Sequence, residues 1–244
     1  MLPNFYKMKY ILSFFLISFS FFATAQTQVV FDENATVREM VGSFKNIHVS
    51  SAIHLVLTKG DTEIIAVSAN DDAVKASIKT EIVEGVLKIY YSGTAYRSGY
   101  NKKMNVYVSY KNLESIKATD ASNVLLADKL TAPILAIKVS DASIFKGEIN
   151  VDNLEVKVSD ASSTKLSGTA KDCSIKCSDA SSFNSYNFTA TNADIIATDA
   201  SSIRLTVTSQ IDASARDASS IMYKGAATIR KNFTRDASSI KHVD

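Results

Sequence analysis

Cysteine, histidine and proline are scarce in this chain, and each shortage removes a class of protein. Two cysteines in 244 residues are too few for a disulfide-stapled scaffold. Cys173 and Cys177 stand four apart in an alternating stretch. A strand would hold them roughly 13 Å from each other, beyond the reach of a disulfide. Cys173-Ser-Ile175-Lys-Cys177 also matches Leu154-Glu-Val156-Lys-Val158, which makes both cysteines small apolar core residues.

The three histidines are His48, His54 and His242, and no cysteine or acidic pattern around them makes a zinc site. His48 and His54 lie six residues apart in an alternating segment, so they are expected on one face. No nucleophile elbow, phosphate loop or zinc signature occurs. Pro133 is the one proline beyond the apolar leader. No helical periodicity is clear, and alternating β-branched and polar residues dominate.

Excess charge is missing too. Residues 1–25 have the form of a secretory signal peptide. Lys7 and Lys9 precede an apolar run from Ile11 to Phe22, and Ala23-Thr24-Ala25 offers a small-residue cleavage site. Twelve residues are too few to cross a bilayer, which takes about 20, so no transmembrane segment is expected in the mature chain. No cysteine lies near the cleavage site, which argues against lipoprotein processing. Loss of Lys7 and Lys9 takes the 27 basic residues to 25, equal to the 25 acidic ones. The mature chain is formally neutral and lacks the electrostatic footprint of a nucleic-acid binder.

What is present is a repeat. Asp-Ala-Ser occurs seven times, beginning at Asp120, Asp141, Asp160, Asp179, Asp199, Asp217 and Asp236, in steps of 21, 19, 19, 20, 18 and 19 residues. A period near twenty marks a stack in which each unit buries its apolar face against its neighbours. Before each Asp, positions −2, −4 and −6 are small or apolar, as in Val158, Val156 and Leu154, whereas −1, −3 and −5 are mostly polar. That is a strand with one face buried. A second alternating strand follows, as in Ile203-Arg-Leu205-Thr-Val207, so Asp-Ala-Ser is expected at a corner. The −2 column loses volume along the chain, through Val158, Cys177, Ala197 and Ala215.

The expected fold is all-β: a right-handed parallel β-helix-like solenoid with coils of about 19 residues and irregular N-terminal coils. Seven coils at about 4.8 Å give a stack on the order of 34 Å long. The organisation expected is a leader over 1–25, irregular strands over 26–115 and regular repeats over 116–244. Early strands are predicted at Ile47–Val49, Ile53–Thr58, Glu63–Ser68, Ala76–Val83, Val86–Tyr91 and Met104–Ser109, with a loop from Tyr96 to Lys103. His48-Val-Ser-Ser-Ala-Ile53 already resembles a corner with Ser in place of Asp.

The repeated Asp has two readings. As structure, Asp tolerates the left-handed conformation, and its carboxylate can accept the backbone N–H two residues on. Ala suits a tight inner bend, and the Ser hydroxyl can bond from coil to coil. As function, the seven aspartates form a candidate ladder for calcium or a polyhydroxylated ligand. Stacked carboxylates repel by roughly 1 kcal/mol per neighbour in water. Lys117, Lys138, Lys157 and Lys176 at −3, Arg216 and Arg235 at −1, and Arg204 after Asp199 are expected to accompany them. These local cations favour the structural reading. Arg230, Lys231, Arg235, Lys241 and His242 crowd the last coil and are expected to guard its open edge. Paired carboxylates are the one catalytic chemistry the ladder could hide. A catalytic pair needs two unlike environments, and a uniform ladder offers the opposite. No catalytic residue, cofactor or metal is assigned.

Several segments together resemble a known family: Phe44-Lys-Asn-Ile-His-Val, Leu55-Val-Leu-Thr-Lys-Gly-Asp61, Glu81 to Tyr90, Val106-Tyr-Val-Ser-Tyr-Lys-Asn-Leu-Glu-Ser-Ile116, and the serial corners. The resemblance is to the putative auto-transporter adhesin, head GIN domain proteins found mostly in Bacteroidetes. Members usually carry Ser-Gly-Ala-Ser at the corners, so Asp here stands where a left-handed Gly is usual. The resemblance implies an exported parallel β-helix and supplies no biochemical activity. The expected function is a non-enzymatic protein of the periplasm or cell envelope that binds a glycan or a surface protein. The alternatives are a carbohydrate-active enzyme, for which coils of 18–21 residues leave little cleft, and a purely structural spacer.

Overall fold

The computed structural model describes residues 32–93 and 103–244. The expected leader lies outside the described residues, as does the Tyr96–Lys103 loop apart from Lys103. The first strands are short: β1 (Thr36–Arg38), β2 (Asn46–Val49), β3 (His54–Lys59) and β4 (Ile64–Ala69). A helical turn, α1 (Asp72–Ser77), is N-capped by Asp71, whose carboxylate accepts the Val74 N–H at 3.0 Å. β5 (Ile78–Val83), β6 (Val86–Tyr91), β7 (Met104–Tyr110), β8 (Ser115–Ala118) and β9 (Asn123–Leu126) follow. The strands then lengthen to β10 (Leu130–Val139), β11 (Ile144–Val158), β12 (Ser163–Cys177), β13 (Ser182–Ala197) and β14 (Ser202–Ala215). β15 (Ser220–Lys224), β16 (Thr228–Thr234) and β17 (Ser239–His242) complete the chain. The strand expected over Ala76–Val83 begins two residues later, because Ala76 and Ser77 close the helix.

The fold is a β-solenoid of parallel coils. A regular coil is one long bent strand plus a four-residue turn, which accounts for the 19-residue step. Within β11 the buried residues switch phase. Phe145, Ile149 and Val151 point inward, Asp152 and Asn153 are both exposed, and Leu154, Val156 and Val158 point inward again. That break is a second corner. In the first arm of β11, Gly147 stands where an added Cβ would meet the Leu126 side chain at 2.6 Å.

Two walls therefore meet at the Asp-Ala corner. The wall before the corner stacks β6, β2, β8, β10, β11, β12, β13, β14 and β16 in parallel register. The wall after it stacks β7, β3, β9, β11, β12, β13, β14, β15 and β17. Between the walls runs a core of aligned side chains, including Ile116, Ile137, Val156, Ile175 and Ile195, all 2% exposed or less. Cys173 and Cys177 are free thiols in this core. Burial pushes both up to about 12, so they act as small apolar groups.

The N-terminal end departs from simple winding. β6 and β7 come later in the chain than β2 and β3, yet they stack outside them. β5 then pairs antiparallel with β6, β4 with β7, and β1 with β4. This antiparallel layer caps the stack, as repeat folds require of a terminal unit. At the other end, β16 and β17 pair on one side only among the described residues, and every residue of β16 is exposed.

Candidate functional site

The Asp-Ala-Ser corner is a turn with two consecutive left-handed residues. Asp φ lies between +54° and +59° and Ala φ between +56° and +59° at all seven copies. Positive φ at both central positions is the signature of a type I′ turn, whose twist suits joined strands. The turn is closed locally, as where Ser162 N–H donates to the Ser159 carbonyl at 3.2 Å and Ser181 N–H to Ser178 at 3.2 Å. Ser51 and Ala52 take the same conformation, with φ +70° and +58°, and they stack on the first Asp corner.

A backbone hydrogen bond ties each corner to the next. The Ala52 N–H donates to the Asp120 carbonyl at 2.7 Å, Ala121 to Asp141 at 2.7 Å, Ala142 to Asp160 at 2.8 Å and Ala161 to Asp179 at 2.9 Å, and the series continues to Ala218 and Asp236 at 2.8 Å. The Ser residues point inward. Ser181 Oγ donates to the Val158 carbonyl at 2.8 Å, Ser201 Oγ to Cys177 at 2.9 Å, and Ser143 Oγ accepts the Ser122 N–H at 3.1 Å.

Three expectations about the corner change. Ala is exposed and Ser is buried from Ser122 to Ser219, so Ser, not Ala, occupies the inside of the bend. With both Asp and Ala left-handed, the N–H two residues after Asp turns to the carbonyl before it, so the carboxylate does not receive it. The carboxylate takes the hydroxyl of the preceding residue instead: Ser140 Oγ donates to Asp141 at 2.7 Å, Ser159 to Asp160 at 2.6 Å and Thr119 to Asp120 at 3.3 Å. Finally, of the local cations expected to accompany the ladder, all but Arg235 stay out of ion-pair reach of its carboxylates. Among the described residues, Arg235 to Asp236 at 2.6 Å is the one ion pair that reaches a ladder carboxylate. The −3 lysines stand on the wall about 10 Å before the corner and project from it.

All seven ladder aspartates lie in one exposed column. Among the described residues, no three His, Cys, Asp or Glu side chains converge to hold a metal ion. His48 and His54 do not share a face. The Ser51-Ala52 corner lies between them, so they stand on different walls. His48 Nε2 lies 3.1 Å from Thr119 Oγ1. Burial and the charges of Lys117 and Lys88 hold its pKa below the usual value, against an opposing pull from Asp120. Of the cations at the last coil, Arg230 donates twice to Asp212, at 2.6 and 3.1 Å, and His242 meets the Gly225 carbonyl at 2.8 Å.

The feature that sequence reasoning missed is a cationic row along the wall before the corner. Register places Lys88 beside His48, His48 beside Lys117, Lys117 beside Lys138, Lys138 beside Lys157, and Lys157 beside Lys176. The −3 repetition is visible in the sequence for four of the six. Lys157 bridges Glu155 at 2.6 Å, and Lys138, Lys157 and Lys176 are exposed. A row of hydroxyls, Thr119, Ser140, Ser159 and Ser178, separates these cations from the aspartates. On the other side, Ser115, Ala136, Glu155 and Ser174 flank the row. A shallow depression lies there, lined by Ser115, Lys117, Ala136, Lys138, Glu155 and Lys157.

Comparison with known proteins agrees with this architecture. The family model described as putative auto-transporter adhesin, head GIN domain, matches residues 43–227. A crystal structure of a putative adhesin from Bacteroides fragilis NCTC 9343 superposes with a TM-score of 0.79 at 19% identity, over 86% of this chain and 98% of that one. A putative adhesin from Parabacteroides merdae ATCC 43184 gives 0.68 at 14% identity, over 87% and 98%. A protein from Parabacteroides distasonis ATCC 8503, named a putative lipid binding protein, gives 0.66 at 17% identity, over 87% and 98%. At these identities the likeness is one of fold. Among curated proteins, none matches.

Proposed function

This chain belongs to the putative auto-transporter adhesin, head GIN domain family, and we propose that it is an exported, non-enzymatic binding protein of the periplasm or cell envelope. Its ligand is a glycan or another surface protein, held on an outer wall of the solenoid. The observation that carries this reading is the wall itself. On the wall before the corner, β8, β10, β11 and β12 run in register from coil to coil and present rows of cations and hydroxyls. Such a surface suits an extended partner better than a compact substrate.

Two comparisons of mechanism support it. Coils stepping by 18–21 residues carry no long excursions with which to build a catalytic cleft. The ladder carboxylates all stand exposed at the same turn, and none is buried in a way that would set an acid apart from a base. A lipid ligand, suggested by the name of one structural relative, gains less support. The solenoid interior is filled by buried aliphatic and aromatic side chains, so ligand contact falls to the outer walls. Among the described residues no helix is long and apolar enough to cross a membrane.

The test is binding of residues 26–244 to a glycan array and to envelope fractions, with and without calcium. Selective binding supports the reading, and calcium dependence would move the aspartate ladder from turn to site. Loss of polysaccharide viscosity on incubation, abolished by Asp160→Asn, would overturn it in favour of an enzyme. Binding to nothing in either condition would favour a structural spacer.

A further inference from the structure

The cationic row is longer than the corner chemistry requires, and among the described residues Lys157, with Glu155, is its one member in an ion pair. Six basic residues, Lys88, His48, Lys117, Lys138, Lys157 and Lys176, stand side by side on adjacent strands. At about 4.8 Å per strand they span about 24 Å. For Lys117, Lys138, Lys157 and Lys176, like charges directly opposite across a sheet destabilise it, so the fold alone gives no reason to keep these lysines aligned. Two acids adjoin the row: Glu81, paired across β5 and β6 with Lys88, and Glu155, bridged to Lys157. Beyond Lys176 the row ends, and its positions pass to Ile196, Ser214 and Phe233.

We propose that this row is a binding track for a linear acidic polysaccharide, running along the stack axis with its charges over Lys117, Lys138, Lys157 and Lys176. The inference rests on the surface-binding reading above and names the class of its ligand. Three features select the occupant. The spacing of the cations is one coil, close to the repeat of a glycan that carries one acid group per sugar. A flat anionic membrane would cover the exposed aspartates Asp120, Asp141, Asp160 and Asp179 as well, about 10 Å away, and be repelled by them. A single chain can follow the cations without touching the aspartates. Beside the track, the depression lined by Ser115, Ala136 and Glu155 offers sugar hydroxyls room and polar partners.

The probe is polygalacturonate, with its methyl ester as the neutral form of the same chain. The native chain, residues 26–244, should bind the acid and not the ester, and more weakly as salt rises. Replacing Lys138, Lys157 and Lys176 by Gln should reduce affinity roughly tenfold to a hundredfold at low salt, at up to about fivefold per cation. The same change at Lys146, Lys165 and Lys171, which lie outside the row, should leave binding within about twofold; it removes equal net charge. Unchanged thermal midpoints show that each variant folds. His48 serves as a reporter. Lys88, Lys117 and burial depress its pKa and Asp120 opposes them, so a bound polyanion should raise it by NMR titration, and His54 on the other wall should not move.

Equal loss in both triple variants, or a response of His54 without His48, would overturn the track. Row-dependent binding to phosphatidylglycerol vesicles in place of polygalacturonate would overturn the polysaccharide and make lipid the partner. Binding of a neutral glycan or an envelope protein without any polyanion binding would sink this inference and leave the broader function standing. Binding to no probe of any kind would sink both.

Discussion

Replacing Ala161 by Gly should stabilise this protein, although the same change in an ordinary strand destabilises. Ala161 sits at φ +56°, where an L-residue is about 1–2 kcal/mol worse off than in its preferred basins. Glycine removes that strain. Against it stands the greater freedom of glycine in the unfolded chain, about 0.4–1 kcal/mol. The methyl group is exposed, so little apolar contact is lost, and the Ala161 N–H to Asp179 carbonyl bond at 2.9 Å is untouched. The balance is a gain of about 0.5–1 kcal/mol. Ala197 is the control, fully buried in β13. Its replacement by Gly loses a buried methyl and adds strand entropy, for a loss of about 1.5 kcal/mol. Urea denaturation reads both, as midpoint shifts of opposite sign at unchanged slope. Ala142→Gly, Ala180→Gly and Ala200→Gly should add to Ala161→Gly, with the sum an upper bound because neighbouring corners touch. If Ala161→Gly lowers stability as Ala197→Gly does, the left-handed corner is not the source of strain argued here.

Gly168→Ala should cost more than about 2 kcal/mol, since its Cβ would lie 1.9 Å from the Ile149 carbonyl oxygen at φ +97°; Gly85→Ala, with open space around it, should lose only about 1 kcal/mol in thermal melts. Asp160→Asn and Asp179→Asn should each change stability by under about 1 kcal/mol, because Asn also tolerates the left-handed turn and accepts a hydroxyl. The thiols of Cys173 and Cys177 are raised to about 12 by burial. The unfolded chain therefore loses these protons first, and stability should fall as pH rises from the ordinary thiol value of about 8.5 towards 12. Melts of Cys173→Ala and Cys177→Val against pH should show a shallower decline if this is the cause.

Much of the fold is legible because its interactions repeat. The −2, −4 and −6 columns and the corner each recur every coil, so local patterning agrees with the stack seven times over. The early strands from Ile47 to Ser109 are legible to within a residue or two from their own alternation, save where α1 takes Ala76 and Ser77. The corner was legible as a left-handed Asp but not in its bonding. Which atom receives the Ser N–H depends on the Ala that follows also being left-handed, and an Asx-type turn predicts otherwise. The same gap placed His48 and His54 on one face, because alternation was carried through a turn that resets it.

By itself, then, the amino-acid order determined the period, the corner and the inward faces, since these rest on contacts between a residue and its near neighbours or its own repeat. Tertiary structure alone decided the order of the first coils, with β6 and β7 stacked outside β2 and β3 and an antiparallel layer over them. It also decided that Lys88 and His48 extend the −3 lysines into one row. Pairing between segments tens of residues apart depends on which strand edges remain free once each coil has closed, and no periodicity in the chain records that.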